Sequence, residues 1–275
     1  MSAEGTPSVA VVLGATTSVG RAVAGRLAEA GARLVLVGVS GVETSSELEE
    51  VASGLSGQPG EAMTTELAPR DRAGFESFFA AIEERHGHPD ALVTVPGAPR
   101  PVAADQMSDA DWDDAIDASL SATYCAYRAV LPHFESTGHG RVVSVVGDEG
   151  RRGAGGASHI AAGHWSIIGL AKSAALEMAE ADVAVNVVTS TALDDHRWQD
   201  DAYQRYAHAT VGEDAASTSR DSTAAALGLR HPTTRPFVSP DAVARAVMMF
   251  LTQPDNTMTG SVLDLSQGMA ALNTA

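Results

Sequence analysis

The stretch Val9-Ala10-Val11-Val12-Leu13-Gly14-Ala15-Thr16-Thr17-Ser18-Val19-Gly20 decides the fold of this chain. Its first five residues form a short apolar run, which is typical of a strand buried on both faces of a parallel sheet. A glycine-rich turn follows, and apolar residues then recur at three- and four-residue spacing as far as Gly31, which predicts a helix that ends at a glycine. Because the next apolar run is Leu34 to Val37, the sequence predicts a βαβ unit.

The same alternation of strand-like and helix-like patterns continues along most of the chain. Further apolar runs stand at Ala91–Val95, Val142–Val146, Val183–Val188 and Ser261–Leu265. Helical patterns stand at Glu76–Arg85, Trp112–Phe134, Ile160–Ala179 and Asp241–Leu251. This order predicts an α/β fold, namely a Rossmann-like, doubly wound parallel sheet with helices on both faces. No linker or repeat interrupts the pattern, so we expect residues 1–275 to form a single domain.

One long polar segment, residues 189–240, breaks the alternation. It carries the acidic pairs Asp194-Asp195 and Asp200-Asp201 and ends at Pro240. Connections of this length are uncommon in compact domains unless they cover a binding site. We therefore predict that the segment is a substrate lid within the domain.

Composition excludes several classes of function. The 275 residues include 35 Asp and Glu against 18 Lys and Arg, which gives a formal net charge of −17. Such an excess of negative charge is unfavourable for binding nucleic acid or an anionic membrane. No apolar run is long enough to span a bilayer. Cys125 is the only cysteine and the amino terminus has no basic region, so we expect a cytoplasmic protein.

From about Val9 to Gly268 the chain resembles the short-chain dehydrogenase/reductase family. Its turn Gly14–Gly20 is similar to the family's nucleotide-binding turn, with Ser18 where the middle glycine is usual. The resemblance implies that NAD(P) binds here, although the turn could instead only pack a strand against a helix. Cofactor preference stays undecided, because Gly38-Val39-Ser40 stands where an acidic or basic residue would select NAD or NADP. The cofactor-binding residues that the resemblance implies are Gly14, Thr16, Thr17, Ser18, Val19, Gly20, Arg21, Glu66, Leu67 and Gly97.

The catalytic positions of the family hold different side chains in this sequence. The family uses a Tyr-x-x-x-Lys pair, a serine thirteen residues before the tyrosine, and an asparagine on an earlier helix. Matching the stretch after the lysine puts Ile160 at the tyrosine place, His164 at the lysine place, Gly147 at the serine place and Ser119 at the asparagine place. The chain has one lysine, Lys172, and Ile168 stands four residues before it. A phenol activated by lysine is therefore not expected, and neither is ordinary alcohol–ketone chemistry by that route.

Other titratable residues are candidates for proton transfer at the same cleft. His164 with Asp148 or Glu149 would form an acid–base pair without tyrosine or lysine, and Ser119 is a further candidate catalytic residue. The alternative is that the acids are solvated and that His164 only fills the space of the missing lysine. The histidines show no metal-ligand spacing, since His159 and His164 are five residues apart, so we expect no metal site.

Three functions remain open at the level of sequence. The first is a repurposed biosynthetic enzyme that carries out a non-redox step on a small molecule, such as cyclisation, dehydration or isomerisation. The second is a non-catalytic partner in a hetero-oligomer with a catalytically complete member of the family. The third is an unorthodox NAD(P)H-dependent reductase acting on an activated substrate. The resemblance also implies a homo-oligomer, a dimer or tetramer, that assembles through the helices of Trp112–Phe134 and Ile160–Ala179.

Overall fold

Seven parallel strands form one sheet at the centre of the molecule. In this computed structural model, which describes residues 5–55, 62–97, 99–209, 223 and 237–268, the strand order is β3-β2-β1-β4-β5-β6-β7. The order reverses between β1 and β4, as expected of a doubly wound sheet. The predicted fold class is thus confirmed. The strands are β1 Val9–Leu13, β2 Arg33–Val39, β3 Ala62–Leu67, β4 Ala91–Thr94, β5 Gly140–Gly147, β6 Val183–Ser190 and β7 Val262–Leu265.

Helices connect the strands and cover both faces of the sheet. Several begin at a side chain that accepts a hydrogen bond from the first turn, for example Thr17, Thr44 and Ser239, as helix N-caps commonly do. Within the described residues, no helix has both the length and the apolar character that crossing a bilayer requires. The helices are α1 Ser18–Glu29, α2 Ser45–Gly54, α3 Arg72–His86, α4 Asp109–Ile116, α5 Ala122–Thr137, α6 Glu149–Arg152, α7 Ser158–Glu177, α8 Asp201–Ala209 and α9 Pro240–Leu251.

The core lies in two layers, one on each side of the sheet. Val9, Val11 and Leu13 of β1 pack with α3, α5 and α7, whereas Ala10 and Val12 pack with α1, α2 and α9. Side chains of a strand point alternately to the two faces, so a strand with helices on both sides has to be apolar throughout. This explains why β1 could be recognised from its sequence.

Some elements differ from those that the sequence predicts. Helix α2 and strand β3 were not predicted, because the first is rich in serine and glutamate and the second carries polar Thr64, Thr65 and Glu66 at a partly exposed edge. Helix α3 begins four residues earlier than expected, since Asp71 caps it through Gly74 N. The long helix expected over 112–134 consists of α4, a π-helical segment Asp117–Ser121, and α5.

The structure describes part of the predicted lid, residues 189–209, 223 and 237–240. Its first residues complete β6, and a 3-10 turn His196–Gln199 and helix α8 follow. Trp198 packs against Tyr203 and Phe237, with ring centroids 5.8 and 5.6 Å apart. Residues 210–222 and 224–236 of the predicted lid lie outside the described part of the chain.

Two glycines hold the turn between β1 and α1 close to its neighbours. Gly14 has φ of +82°, and a Cβ there would lie 1.8 Å from the carbonyl oxygen of Val95. A Cβ on Gly20 would lie 2.1 Å from the carbonyl oxygen of Gly14. Because no side chain fits at either place, the amino terminus of α1 comes directly against the carboxyl ends of β1 and β4.

Candidate functional site

A cleft opens at the carboxyl ends of β4, β5 and β6, beside the first turn of α1. Its volume is about 130 Å³. Apolar walls come from Val95, Ile160 and Trp198, which is the usual composition of a small-molecule site with a few polar groups. The polar residues that line it are Thr17, Ser18, Asp148, Glu149, Arg152, His164, Ser190, Thr191, Arg197, Tyr203 and Tyr206.

His164 and Glu149 form the titratable pair at the centre of the cleft. The imidazole of His164 is buried, and its Nδ1 accepts a hydrogen bond from the backbone N–H of Gly147 at 3.1 Å. The same Nδ1 lies 3.7 Å from Oε2 of Glu149. One ring nitrogen cannot accept from an amide and carry a proton at the same time. Neutral His164 is therefore held by Gly147, and a protonated His164 would be stabilised by the carboxylate of Glu149.

The two neighbouring carboxyl groups have their pKa values moved in opposite directions. Burial and the charge of Glu149 raise the pKa of Asp148 to about 7, although the ion pair of Asp148 with Arg152 acts against this. Burial alone would raise the pKa of Glu149, but the contact and charge of His164 together hold it below its usual value. The cleft thus contains one carboxyl that keeps its proton to a higher pH than an ordinary aspartate and one that ionises more readily than an ordinary glutamate. This is the arrangement of an acid beside a base.

The four places matched to the family's catalytic residues do not meet at one point. Gly147, Ile160 and His164 line the cleft, but Ser119 is absent from its described lining. The hydroxyl of Ser119 is buried in the π-helical segment and donates to the carbonyl oxygen of Ala115. The structure therefore brings together His164, Asp148 and Glu149 and leaves the fourth candidate, Ser119, outside.

The glycine turn already makes hydrogen bonds to one carboxylate on its outer side. Oε1 of Glu43 accepts from both the backbone N–H of Thr16, at 2.8 Å, and its hydroxyl, while Oε2 accepts from Val39 N at 3.0 Å. Burial raises the pKa of Glu43 above its ordinary value, although these hydrogen bonds lower it. Glu43 was not among the site residues predicted from the sequence. An acidic residue shortly after β2 was the signal that could have found it.

A second carboxylate contacts the turn from the lid. Oδ2 of Asp195 accepts a hydrogen bond from the hydroxyl of Ser18 at 2.8 Å, although 177 residues separate the two. Nε of Arg197 lies 2.9 and 3.0 Å from the two carboxylate oxygens of Asp195. The side chain of Asp195 is only 4% exposed. Segment 189–240 thus places the carboxylate of Asp195, paired with the partly exposed Arg197, at the first turn of α1.

The remaining residues matched to cofactor binding lie around the outer end of the turn. Arg21 donates to the carbonyl oxygen of Thr16 at 3.0 Å and pairs with Glu50 at 3.2 Å. Glu66 accepts a hydrogen bond from the hydroxyl of Ser45, and Leu67 packs against the core. A second, open cavity lies next to these residues. Its lining includes Ser40, Val42, Pro69, Gly97, Ala118 and His159.

Lid aromatic residues that the sequence analysis did not single out close one side of the main cleft. Trp198 Nε1 donates to the carbonyl oxygen of Leu193 at 2.7 Å. The hydroxyl of Tyr203 donates to the carbonyl oxygen of Pro99 at 2.9 Å. Burial raises the pKa of Tyr203 to about 12. The hydroxyl of Tyr203 is directed at the backbone of Pro99, and its ring forms part of the cleft wall.

Away from the cleft, three metal-ligand side chains lie close together. Nδ1 of His88 and Nδ1 of His133 lie 3.0 and 2.9 Å from the two carboxylate oxygens of Glu83. The three residues lie partly exposed at the carboxyl end of α3 and the facing part of α5, and each histidine pairs with the glutamate. The expectation that the chain holds no metal stays a prediction.

Comparison with solved structures agrees with the observed topology. Carveol dehydrogenase from Mycobacterium avium superposes with a TM-score of 0.87 at 24% identity, covering 96% of this chain and 98% of that one. Levodione reductase superposes with a TM-score of 0.82 at 23% identity and the same coverage. At these identities the likeness concerns the fold alone.

Comparison of sequences finds relatives with a higher identity than these solved structures have. The chain is 32% identical over 180 residues to the 3-oxoacyl-acyl-carrier-protein reductase FabG of Escherichia coli, covering 66% of this chain and 71% of FabG. It is 34% identical over 188 residues to the BbsC subunit of a hydroxy(phenyl)methylsuccinyl-CoA dehydrogenase of Thauera aromatica, covering 68% and 72%. The family model described as short chain dehydrogenase matches residues 8–204. The chain therefore belongs to the short-chain dehydrogenase family.

Proposed function

We propose that the chain is an NAD(P)H-dependent reductase that moves its proton through His164, Asp148 and Glu149 instead of a tyrosine–lysine pair. The observation that carries this proposal is the grouping of His164 with Asp148 and Glu149 in the cleft that begins at the glycine turn, where Nδ1 of His164 lies 3.7 Å from Oε2 of Glu149. Relatives named as reductases and dehydrogenases support it. They favour this function over the non-redox step that the sequence analysis placed first.

The residues at the glycine turn fit a dinucleotide in shape. Gly14 and Gly20 let the turn pack tightly against neighbouring backbone, so that the first turn of α1 comes to the cleft with amide groups that have no partner inside the helix. Such a helix terminus attracts a pyrophosphate. Carveol dehydrogenase has been solved in complex with NAD and the actinorhodin polyketide ketoreductase with NADPH, which supports the same group here without indicating which of the two binds. When bound, the nicotinamide would supply the hydride.

We assign proton transfer to this chain's own acids because no tyrosine–lysine pair faces the cleft. Lys172, the single lysine of the sequence, is exposed and its Nζ donates to the carbonyl oxygen of Gly260 at 3.2 Å. Ile160 cannot donate or accept a proton. Asp148, with a pKa of about 7, can release a proton near neutral pH. His164 can receive and pass on a proton, and Glu149 stabilises its charged form.

This proton source limits the substrate to an activated carbonyl. General acid–base catalysis by a positioned side chain typically increases the rate by about 10²- to 10⁴-fold. A carboxyl that is only partly protonated stabilises the transition state less than a group that always carries its proton. A carbonyl with an electron-withdrawing neighbour, such as a 1,2-diketone or a quinone, accepts hydride more readily and needs less help from a proton donor. The apolar wall of Val95, Ile160 and Trp198 suits the carbon skeleton of such a compound.

Oxidation of NADH or NADPH by a panel of diketones and quinones tests the proposal. We expect turnover by the native protein and a fall in kcat of about 10² or more in His164→Ala. His159→Ala is the matched control, since His159 is also buried on α7 but lies at the second cavity, with its Nε2 on the carbonyl oxygen of Arg100. Failure of both cofactors to bind, together with no oxidation of either, would refute the proposal. Substrate turnover without change in nicotinamide absorbance would point to the non-redox step.

A second candidate function is that of a non-catalytic subunit. Large apolar side chains are exposed on the helices predicted to assemble, namely Trp112 on α4, Tyr124 on α5, and Trp165 and Leu176 on α7. One relative is itself named as a dehydrogenase subunit. Activity that appears only when this chain is mixed with a related, complete subunit, and that survives His164→Ala, would favour this candidate over the reductase.

A further inference from the structure

We propose that Asp195 lowers the affinity of the glycine turn for a pyrophosphate and so determines how tightly this chain binds its dinucleotide. The inference rests on the proposed function, because the pyrophosphate belongs to the NAD(P) assigned to the cleft. It concerns a residue of the lid rather than of the turn itself. The juxtaposition that carries it is the carboxylate of Asp195 on the hydroxyl of Ser18, at the first residue of α1.

The carboxylate stands where the turn offers its attraction for anions. Ser18 Oγ donates to Asp195 Oδ2 at 2.8 Å, and Ser18 begins the helix whose positive end faces the cleft. A carboxylate is stabilised at a helix amino terminus for the same reason as a phosphate is. The protein's own carboxylate therefore lies at the positive end of α1 and holds the hydroxyl of Ser18, which a pyrophosphate at the same place would meet.

A dinucleotide would meet this charge in a place with little solvent screening. The side chain of Asp195 is 4% exposed, and like charges that are partly buried and a few ångströms apart repel strongly. Glu43 adds a second carboxylate on Thr16, on the other side of the same turn. The chain as a whole is negative as well, which lowers its attraction for anions at long range.

Arg197 is the only partner of Asp195 that carries a positive charge among the ion pairs of the described residues. Its guanidinium, 26% exposed, is held against both carboxylate oxygens and also lines the cleft. A pyrophosphate can bind at the turn only if the carboxylate of Asp195 moves away from Ser18 or if the pyrophosphate binds beside that negative charge. Neutralising Asp195 removes this cost and frees Arg197 to contact a phosphate.

Calorimetric titration of the full chain with NADH, NADPH, ADP and adenosine tests the inference. Asp195→Asn keeps an oxygen that accepts from Ser18 but removes the charge, so we expect it to bind NADH or NADPH, and ADP, about tenfold or more tightly than the native chain does. Adenosine has no phosphate, and its affinity should not change. Asp194→Asn is the matched control, because the neighbouring Asp194 is exposed and the change in net charge is the same. Thermal unfolding of each variant verifies that it is folded.

The outcomes separate this inference from the proposed function. Equal, measurable affinity of native chain and Asp195→Asn for the dinucleotides would overturn the inference and leave the reductase standing. An equal gain in Asp194→Asn, or a gain for adenosine as large as that for ADP, would also overturn it, since neither depends on a carboxylate facing the pyrophosphate. No binding of NADH or NADPH by any variant would refute both.

Discussion

At the scale of single residues, neighbouring groups decide which carboxyl in the cleft carries charge. Asp148 and Glu149 are adjacent in sequence, the first buried and the second partly exposed, and the pKa of the first is raised whereas that of the second is lowered. The difference follows from His164, which lies beside Glu149, and from the repulsion between the two acids. Taking a charge out of water is costly unless a partner is present. Asp148 consequently remains protonated at pH values where an exposed aspartate is ionised.

This raised pKa predicts how stability depends on pH. Asp148 ionises near pH 3.8 in an unfolded chain and near pH 7 in the folded one, so between these values the folded state holds more protons. The free energy of unfolding should therefore fall as the pH rises from about 4 to about 7. Asp148→Asn should remove that part of the slope. Urea unfolding at several pH values measures it.

The comparison with Asp148→Asn is needed because other acids also titrate in this range. Only the difference between the two unfolding profiles reports on Asp148. If the native chain and the variant change stability in parallel between pH 4 and pH 7, the pKa of Asp148 is close to that of an ordinary aspartate and its role as the acid fails.

At the scale of elements, helix α7 is positioned by a close approach to the π-helical segment. A Cβ on Gly163 would lie 2.2 Å from Oγ of Ser119, and the hydroxyl of Ser119 is fixed by the carbonyl oxygen of Ala115. The small residue on one helix and the buried serine on the other allow the two backbones to come together. This contact turns His164, the next residue after Gly163, toward the cleft.

The contact predicts opposite effects of two glycine substitutions on α7. Gly163→Ala should lower the free energy of unfolding by about 1 to 3 kcal/mol, because Ser119 has to move. Gly169→Ala meets no atom within 4 Å and should raise it by about 0.5 to 1 kcal/mol through helix propensity. Chemical denaturation measures both values.

A double variant tests whether the contact with Ser119 causes the loss of stability in Gly163→Ala. Adding Ser119→Ala to Gly163→Ala removes the hydroxyl that the new methyl group meets, so part of the lost stability should return. If Gly163→Ala is as stable as the native chain, the two helices are not held as closely as the structure indicates.

At the scale of the whole molecule, exposed apolar side chains and net charge act against each other. The side chains of Trp165 and Leu176 on α7 are 51% and 81% exposed, and exposed apolar groups of this size often mark an interface. The net charge of −17 repels a second copy. We therefore expect two copies of the chain to associate by burying these apolar side chains, and we expect salt to favour the association because it screens the repulsion.

We predict that the chain forms a homo-oligomer through these helices and that salt strengthens it. Sedimentation velocity should give a dimer or tetramer, with more assembly at about 0.15 M salt than at about 0.01 M, where the screening length is longer. The double substitution Trp165→Glu and Leu176→Glu should yield monomers. Met249→Glu is the control, since Met249 is also exposed but lies on α9. A native chain that is monomeric at all salt concentrations would contradict the prediction.

The sequence by itself determined the strands β1, β2, β4, β5, β6 and β7, the glycine turn, and the crossover helices other than α2, and these led to the correct sheet. They are readable because each depends on neighbours in the chain: apolar runs, helical periodicity and glycines at a tight turn. The edge strand β3 and the helix α2 before it were missed for the same reason, since one side of each is polar. The candidates His164, Asp148 and Glu149 also followed from sequence, because the ends of adjacent parallel strands and the helix after them meet at one edge of the sheet.

Only the tertiary structure decided which of these side chains meet. It placed Asp195 on Ser18 across 177 residues and Glu43 on Thr16 across 27, and it turned Ser119 toward Ala115 instead of the cleft. Local pattern cannot specify such pairs, because they depend on the path of the lid and on the rotation of a helix about its axis. The charge that a bound anion would meet at the glycine turn is therefore a property of the folded chain.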